Sequence, residues 1–316
     1  MQELSRKTIL EAVRQHLPDV PSDAAVTRCR TGKFNTTFFV ESDGQPGTVI
    51  RIAPPPETPI LFYERNMMAQ EPGLHRLLRE RTGVPVPAIH AYDTSRSILD
   101  CDFLLMERLA GMSLAETFGQ DETYVFHQVG KQLAEVHAIH AESYGYLGEH
   151  RPMAPQSSWR EAFRIMWDKL VDDTVGCGGY SADEAKAMRL LLERHDHLFE
   201  RDVPASLLHM DIWHQNILAD EDGTVTGIVD WDRALWGDPE IEFAVFDYCG
   251  VSVPAFWEGY GRSRDTSREG LIRNRFYLLY ELQKYILINR ARRADPQRGD
   301  LYKRQVFKLA AELIDG

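Results

Sequence analysis

His209, Asp211, Asn216 and Asp230 follow one another as H-x-D-x-x-x-x-N and then an aspartate at the end of an apolar run. Oxygen donors in that order suit phosphoryl transfer to a hydroxyl. One carboxylate, Asp211, can orient the attacking hydroxyl and accept its proton. The amide of Asn216 and the carboxylate of Asp230 can hold Mg2+, a hard cation that takes oxygen ligands and keeps several waters. A lone loop aspartate more often caps or turns the chain; it is the ordered set that points to chemistry. Asp232 adds a carboxylate two residues on. In an extended segment it points the same way as Asp230, where it can assist the metal or bind Arg233 or a backbone amide.

These residues need a scaffold. "QNILAD" and "VTGIVDW", separated by "EDG", read as two short strands that would carry Asn216 and Asp230. Upstream, residues 3–16 read as an amphipathic helix. "TGKFNTTFFVES" and "GTVIRIA" read as strands joined at "SDGQPG". "PPPETP" is a rigid loop, residues 63–81 are helical with an interruption at Pro72 and Gly73, and "GVPVPAIHAYD" and "CDFLLMERLAG" are further strands. From Gly111 the character changes: residues 121–141, 157–173, 181–200, 268–293 and 299–314 have helical periodicity, with Ser181 as a helix cap. The expected fold is α+β, with a small antiparallel-sheet lobe over residues 1–108 and a larger, mostly helical lobe over 109–316.

The bulk properties exclude some classes. A net charge of −12 argues against a nucleic-acid backbone as partner, which needs a basic face. No run approaches the length of a membrane span, and the N-terminal decamer has no apolar stretch of the secretory kind. Cys29, Cys101, Cys177 and Cys249 make no CxxC pair, so reduced thiols in a cytoplasmic chain are the simplest reading. His137 with His140, and His195 with His197, lack the three or four converging ligands of a zinc site. The aromatic segment 243–260 reads as core before acceptor pocket, and "NRARRADPQR" as a solvated helix end.

"HMDIWHQNIL" and "VDWDRALWGDPEIEFA" resemble the motifs of the aminoglycoside phosphotransferase family, whose relatives include choline, fructosamine and methylthioribose kinases. The resemblance covers most of the chain, is strongest over 207–244, and implies a protein-kinase-like two-lobed fold. It implies Asp211 as catalytic base, Asn216 and Asp230 as metal ligands, and His209 as a structural member of the loop. "TGKFNTTFFV" then matches the nucleotide loop, with Gly32 letting the backbone approach phosphate and Asn35 closing the turn. Arg51 falls at the position of the phosphate-binding cation, often lysine; the alternative is a strand-surface arginine. Glu71 falls where a helix glutamate pairs with that cation, and Glu64 is its rival. "FLLMERLAG" resembles the hinge, whose backbone from Glu107 to Leu109 would hold the adenine edge. This chain departs from the family at Trp213, His214 and Gln215, which replace His-Pro-Gly, and its Asp-hydrophobe-Trp pattern at Asp211 is similar to fructosamine kinases. Glu242 stands where the family has aspartate. Trp213, Asp232, Glu242 and His209 are thus candidates for acceptor binding or for support of the site.

The combined expectation is an ATP-dependent O-phosphotransferase using Mg2+ and a small-molecule acceptor. The acidic composition is compatible with a cationic acceptor, and an acidic lining of the pocket would favour one, either an antibiotic or a metabolite such as a glycated amine. A hinge that reads purines through backbone atoms is compatible with GTP as well. The rivals are a metabolite kinase of the fructosamine, choline or methylthioribose type and a catalytically silent nucleotide-binding module.

Overall fold

A computed structural model describes residues 4–30, 34–44, 47–117 and 122–315. The chain forms two compact units, one of Met1–Thr58, Met68–Gln120 and Gln215–Asp232, the other of Pro59–Met67, Asp121–His214 and Arg233–Gly316. Relative to a single division between residues 108 and 109, three segments change sides: 59–67 joins the second unit, and 109–120 and 215–232 join the first. Residues 59–67 pack with the second unit because Leu61 and Tyr63 are buried in its core, and because Phe62 N–H donates to Asp173 at 2.7 Å. Arg292 also ion-pairs with Glu64 there.

The first unit opens with α1 (Arg6–His16), capped by the Ser5 hydroxyl, which accepts the Thr8 N–H at 3.1 Å. Its Ile9, Leu10, Ala12 and Val13 are buried against Phe38, Val40, Ile50 and Leu105. Those partners lie on a five-stranded antiparallel sheet of β1 (Ala25–Arg28), β2 (Thr36–Glu41), β3 (Thr48–Ile52), β4 (Ile89–Asp93) and β5 (Phe103–Glu107), in the order β1-β2-β3-β5-β4. Strand β1 has no clean hydrophobic alternation and was not foreseen. Between β3 and β4 runs α2 (Glu71–Arg81). Pro72 is no interruption here: it sits in the first turn, where a missing N–H costs no intrahelical bond, so it marks the start of the helix. Pro85 and Pro87 likewise restrict β4 to the last five residues of the expected strand. A short β6 (Met112–Ser113) pairs with Ile217–Ala219, which pairs in turn with Val225–Ile228. That pairing draws residues 215–232 into this unit.

The second unit holds α3 (Glu122–His137), α4 (Trp159–Gly176), α5 (Ala182–His195), α6 (Glu240–Cys249), α7 (Pro254–Tyr260), α8 (Arg268–Leu287) and α9 (Pro296–Asp315). A small sheet of His140–Ala141, Ala205–Leu208 and Leu235–Gly237 lies among them. Ser181 and Glu184 form a full capping box at α5. Trp159, Phe163, Trp167, Phe199, Tyr277 and Tyr280 fill the core. Helices α3 and α7 approach closely through Gly130 and Gly259; a Cβ at Gly259 would lie 1.9 Å from the His127 carbonyl oxygen. Helices α6 and α7 were not anticipated, because 243–260 is apolar on several faces and shows no clear stripe. Phe243, Phe246, Phe256 and Tyr260 are indeed core, whereas Tyr248 is exposed. A π-helical turn, Ile288–Arg292, follows α8. The basic segment here is not simply solvated: Arg290 pairs with Asp300 and Arg292 with Glu64. Among the described residues no helix is long and apolar enough to cross a membrane.

Candidate active site

In the first unit the chemistry gathers around Arg51 of β3. Its Nη1 donates to Glu71 Oε2 at 2.5 Å, and its Nη2 to Asp230 Oδ1 at 2.5 Å and Asp232 Oδ2 at 2.8 Å. Glu71 is the first residue of α2, where the helix dipole favours a carboxylate. The rival Glu64 belongs to the other unit and is held by the Leu61 N–H and Arg292. Burial by itself would push the Arg51 guanidinium down, but Glu71, Asp230 and Asp232 together outweigh it and raise it. Burial likewise favours the neutral form of Glu71, and Arg51 reverses this and lowers its carboxyl. Arg51 is therefore a buried, fully charged residue rather than a strand-surface arginine.

Asp232 has further partners in this unit. Besides Arg51, its carboxylate accepts from Asn35 Nδ2 at 3.1 Å, and its carbonyl accepts from Gln70 Nε2 at 2.5 Å. Arg233 is bonded elsewhere, in the second unit. Asp230 differs from Asp232 in exposure: its side chain is 39% accessible against 7%. It is also one of few non-glycine residues with positive φ, at 70°, a conformation that costs about 1–3 kcal/mol and clusters at functional sites. Asn216 is buried. The hairpin brings it beside Asp230, because the Val229 N–H donates to the Asn216 carbonyl at 3.0 Å.

Whether this part could hold Mg2+ depends on its donors. Asn216 and Asp230 offer hard oxygens, and Asp230 reaches solvent. Among the described residues, no cluster of three or more His, Cys, Asp or Glu side chains could hold a metal unaided. Mg2+ is commonly bound through one or two carboxylates, with water and substrate phosphate completing its shell.

Gly32 lies outside the described residues. At the expected hinge, the Glu107 N–H donates to the Ala88 carbonyl at 2.8 Å and the Arg108 N–H to Gly47 at 2.9 Å. The Glu107 carboxylate accepts from the Ala88 N–H at 3.0 Å. Two of the three N–H groups of this segment are thus already used by neighbouring backbone.

In the second unit the centre is Asp211, on the loop after the buried strand Ala205–Leu208. Its own N–H donates to Nδ1 of the fully buried His209 at 3.2 Å. The preceding Met210 has φ 67°. It is held on both sides: its N–H donates to Glu242, and its carbonyl accepts from Arg233 Nη1 at 2.7 Å. Glu242 of α6 is buried and also accepts from His137 Nε2 at 2.7 Å, while the Tyr260 hydroxyl lies 2.7 Å from His137 Nδ1. Glu242 and His137 thus fix the backbone that presents Asp211. Trp213 is half-buried on the same loop.

Two functional candidates escaped the sequence reading. Glu281 and Lys284 on α8 are buried, ion-paired with each other, and adjacent to Arg233, whose Nη2 donates to Glu281 Oε2 at 2.8 Å. Arg233 Nη1 and Lys284 Nζ each lie 3.9 Å from Asp211 Oδ1. Burial would lower the Arg233 guanidinium, but Glu281 and its neighbours raise it well above its ordinary value. The available signal was two opposite charges three residues apart within the otherwise apolar run "YELQKYIL".

A small antiparallel sheet with the helices α1 and α2, and a mostly helical unit bearing the HxD loop, define an α+β, two-lobed, protein-kinase-like fold. Solved structures share it. The aminoglycoside phosphotransferase APH(4)-Ia aligns with a TM-score of 0.67 at 15% identity, covering 97% of this chain and 99% of that one. A protein from Thermobifida fusca YX-ER1, provisionally assigned as a fructosamine-3-kinase, aligns with a TM-score of 0.68 at 19% identity, covering 99% and 100%. The family model described as "Phosphotransferase enzyme family" matches residues 25–271, and the chain belongs to that family. Among curated proteins, rat acyl-CoA dehydrogenase family member 11 (Rattus norvegicus) is 24% identical over 263 residues, 78% of this chain. Hygromycin-B 4-O-kinase of Escherichia coli is 26% identical over 176 residues, 51% of this chain. The chain spans 31% and 47% of the lengths of these two relatives.

Proposed function

We propose that the chain is an ATP-dependent O-phosphotransferase that moves the γ-phosphoryl group to a hydroxyl of a small molecule. The observation that carries this reading is the Arg51 cluster: a charge-fixed cation held by a helix glutamate and bonded to the solvent-reaching Asp230. Within residues 1–108, Gly32 and Asn35 would line the phosphates, Arg51 would offset their charge, and the backbone from Glu107 to Leu109 would meet the purine of ATP or GTP. Asn216 and Asp230 would hold Mg2+, which supplies positive charge to the phosphate oxygens when bound. Within residues 109–316, Asp211 would orient the acceptor hydroxyl and accept its proton as the phosphoryl group departs. The transition state is loose, so positioning and electrostatics do most of the work.

The acceptor is a hydroxyl-bearing metabolite or antibiotic. Its charge is not dictated by the acidic composition: the two carboxylates Asp211 and Glu281 face two cations, Arg233 and Lys284, so the balance there gives a cationic acceptor little pull. The Asp-Ile-Trp sequence after His209 and Met210 supports a metabolite kinase of the fructosamine type as the second reading. The free cysteines suit a cytoplasmic setting. A panel of amino sugars, glycated amines and amino alcohols, scored by a mass gain of one phosphate, separates these acceptors. Asp211→Asn should bind nucleotide normally and lose transfer by about 10²–10⁴-fold. Normal transfer by that variant would remove Asp211 from its role. Absence of ATP-dependent transfer to every acceptor would favour the silent module.

A further inference from the structure

The loop that presents Asp211 is fixed from its backbone by Glu242 and Arg233, but its carboxylate faces a group from a distant helix. Lys284 is 6% exposed, and its ammonium lies between three features: Glu281, Asp211 Oδ1 at 3.9 Å, and the face of Tyr285 at 4.9 Å from the ring centroid. Tyr285 is itself held by stacking on Tyr302, with centroids 4.9 Å apart. A buried lysine needs a counter-charge. Glu281 alone could supply it, yet Glu281 also serves Arg233. Lys284 therefore shares Glu281 with Arg233 and has a second counter-charge in Asp211.

We propose that Lys284 is a positioning residue for phosphoryl transfer: it holds the Asp211 carboxylate in one orientation by direct attraction to Oδ1, and it does not serve merely to neutralise Glu281. The inference rests on Asp211 being the group that orients the acceptor. Arg233 sits at the same distance from the same oxygen and joins the Met210 carbonyl to Glu281 of α8, so it braces the loop backbone. Lys284, from α8 itself, reaches the loop at the Asp211 carboxylate. Chain separation explains why no motif contains it.

The test uses the full chain, with steady-state transfer to an acceptor found in the panel, ATP KM and melting temperature. Lys284→Met should lower kcat by about 10–100-fold while ATP KM stays within about twofold, the split expected when an interaction made at the reacting group is lost. Lys284→Arg should recover most of the rate, since it keeps the charge within reach. The decisive variant is Lys284→Met combined with Glu281→Gln, which restores local charge balance without restoring the contact to Asp211. Continued loss of kcat in that folded double variant supports the proposal. Recovery to near wild-type kcat overturns it, because Lys284 would then be only a partner for Glu281; unchanged kcat in Lys284→Met also overturns it. If Asp211→Asn keeps full activity, the underlying role of Asp211 has failed instead, and the two failures are told apart by that single variant.

Discussion

Replacing Arg51 with methionine removes a cation bonded to three carboxylates in the first unit. Glu71 is fully buried and the Asp232 side chain is 7% exposed, so both would lose the guanidinium that faces them in the interior, with His75 still 3.7 Å from Glu71. Breaking a buried ion pair from one side costs about 3–5 kcal/mol. With a urea dependence of about 2–3 kcal/mol/M, the unfolding midpoint should fall on the order of 1–2 M at pH 7. The pH dependence fixes the cause. Arg51 lowers the Glu71 carboxyl in the native chain, so its stabilisation is present above the ordinary carboxylate range and is lost as pH falls through the lowered value. In the variant the buried carboxyl moves up instead and is neutralised more readily in acid. The deficit should therefore be largest near pH 7 and shrink toward pH 4–5. Arg51→Lys should fall between, because one ammonium cannot reproduce the two-pronged arrangement; each charge-assisted bond lost is worth about 1.5–3 kcal/mol. Urea titrations followed by tryptophan fluorescence at pH 7 and pH 5 check this. A methionine variant with an unchanged midpoint, or with the same deficit at both pH values, would refute the assignment of Arg51 as the buried hub.

Asp230→Ala should raise the Mg2+ concentration needed for half-maximal transfer by tenfold or more, read from a Mg2+ titration at fixed ATP; an unmoved titration would remove Asp230 from the metal. It should also leave Arg51 with Glu71 and Asp232, so the loss of stability should be smaller than for Arg51→Met. Gly259→Ala places a methyl 1.9 Å from the His127 carbonyl at the α3–α7 crossing, and overpacking of this kind costs about 1–3 kcal/mol. A melting temperature equal to wild type would show that the helices can slide apart freely.

Glu64 and Glu71 show where sequence reasoning stops. Both are glutamates near the start of a helical pattern, and no local rule separates them. Packing does: Glu64 is drawn to Arg292, 228 positions away, while Glu71 meets Arg51 across 20 positions. Pro72 was misread for a related reason, since a proline interrupts a helix or begins one depending on where the first turn falls. Helices α6 and α7 were missed because burial on several faces erases the periodicity that marks a surface helix.

The sequence by itself determined what short-range chemistry dictates. It held the order His209, Asp211, Asn216, Asp230, the hairpin signal that sets Asn216 beside Asp230, the capped helix at Ser181, and the change from strand to helix patterning after Gly111. Each rests on spacing along the chain, where backbone geometry leaves few choices. Tertiary structure alone decided that Asp232 faces Arg51 and Asn35, that Glu242 and His137 clamp the Met210 backbone, and that Glu281 and Lys284 stand beside Asp211. Those pairings join residues far apart in sequence, and a buried charge takes whichever counter-charge the packed helices and strands bring within reach.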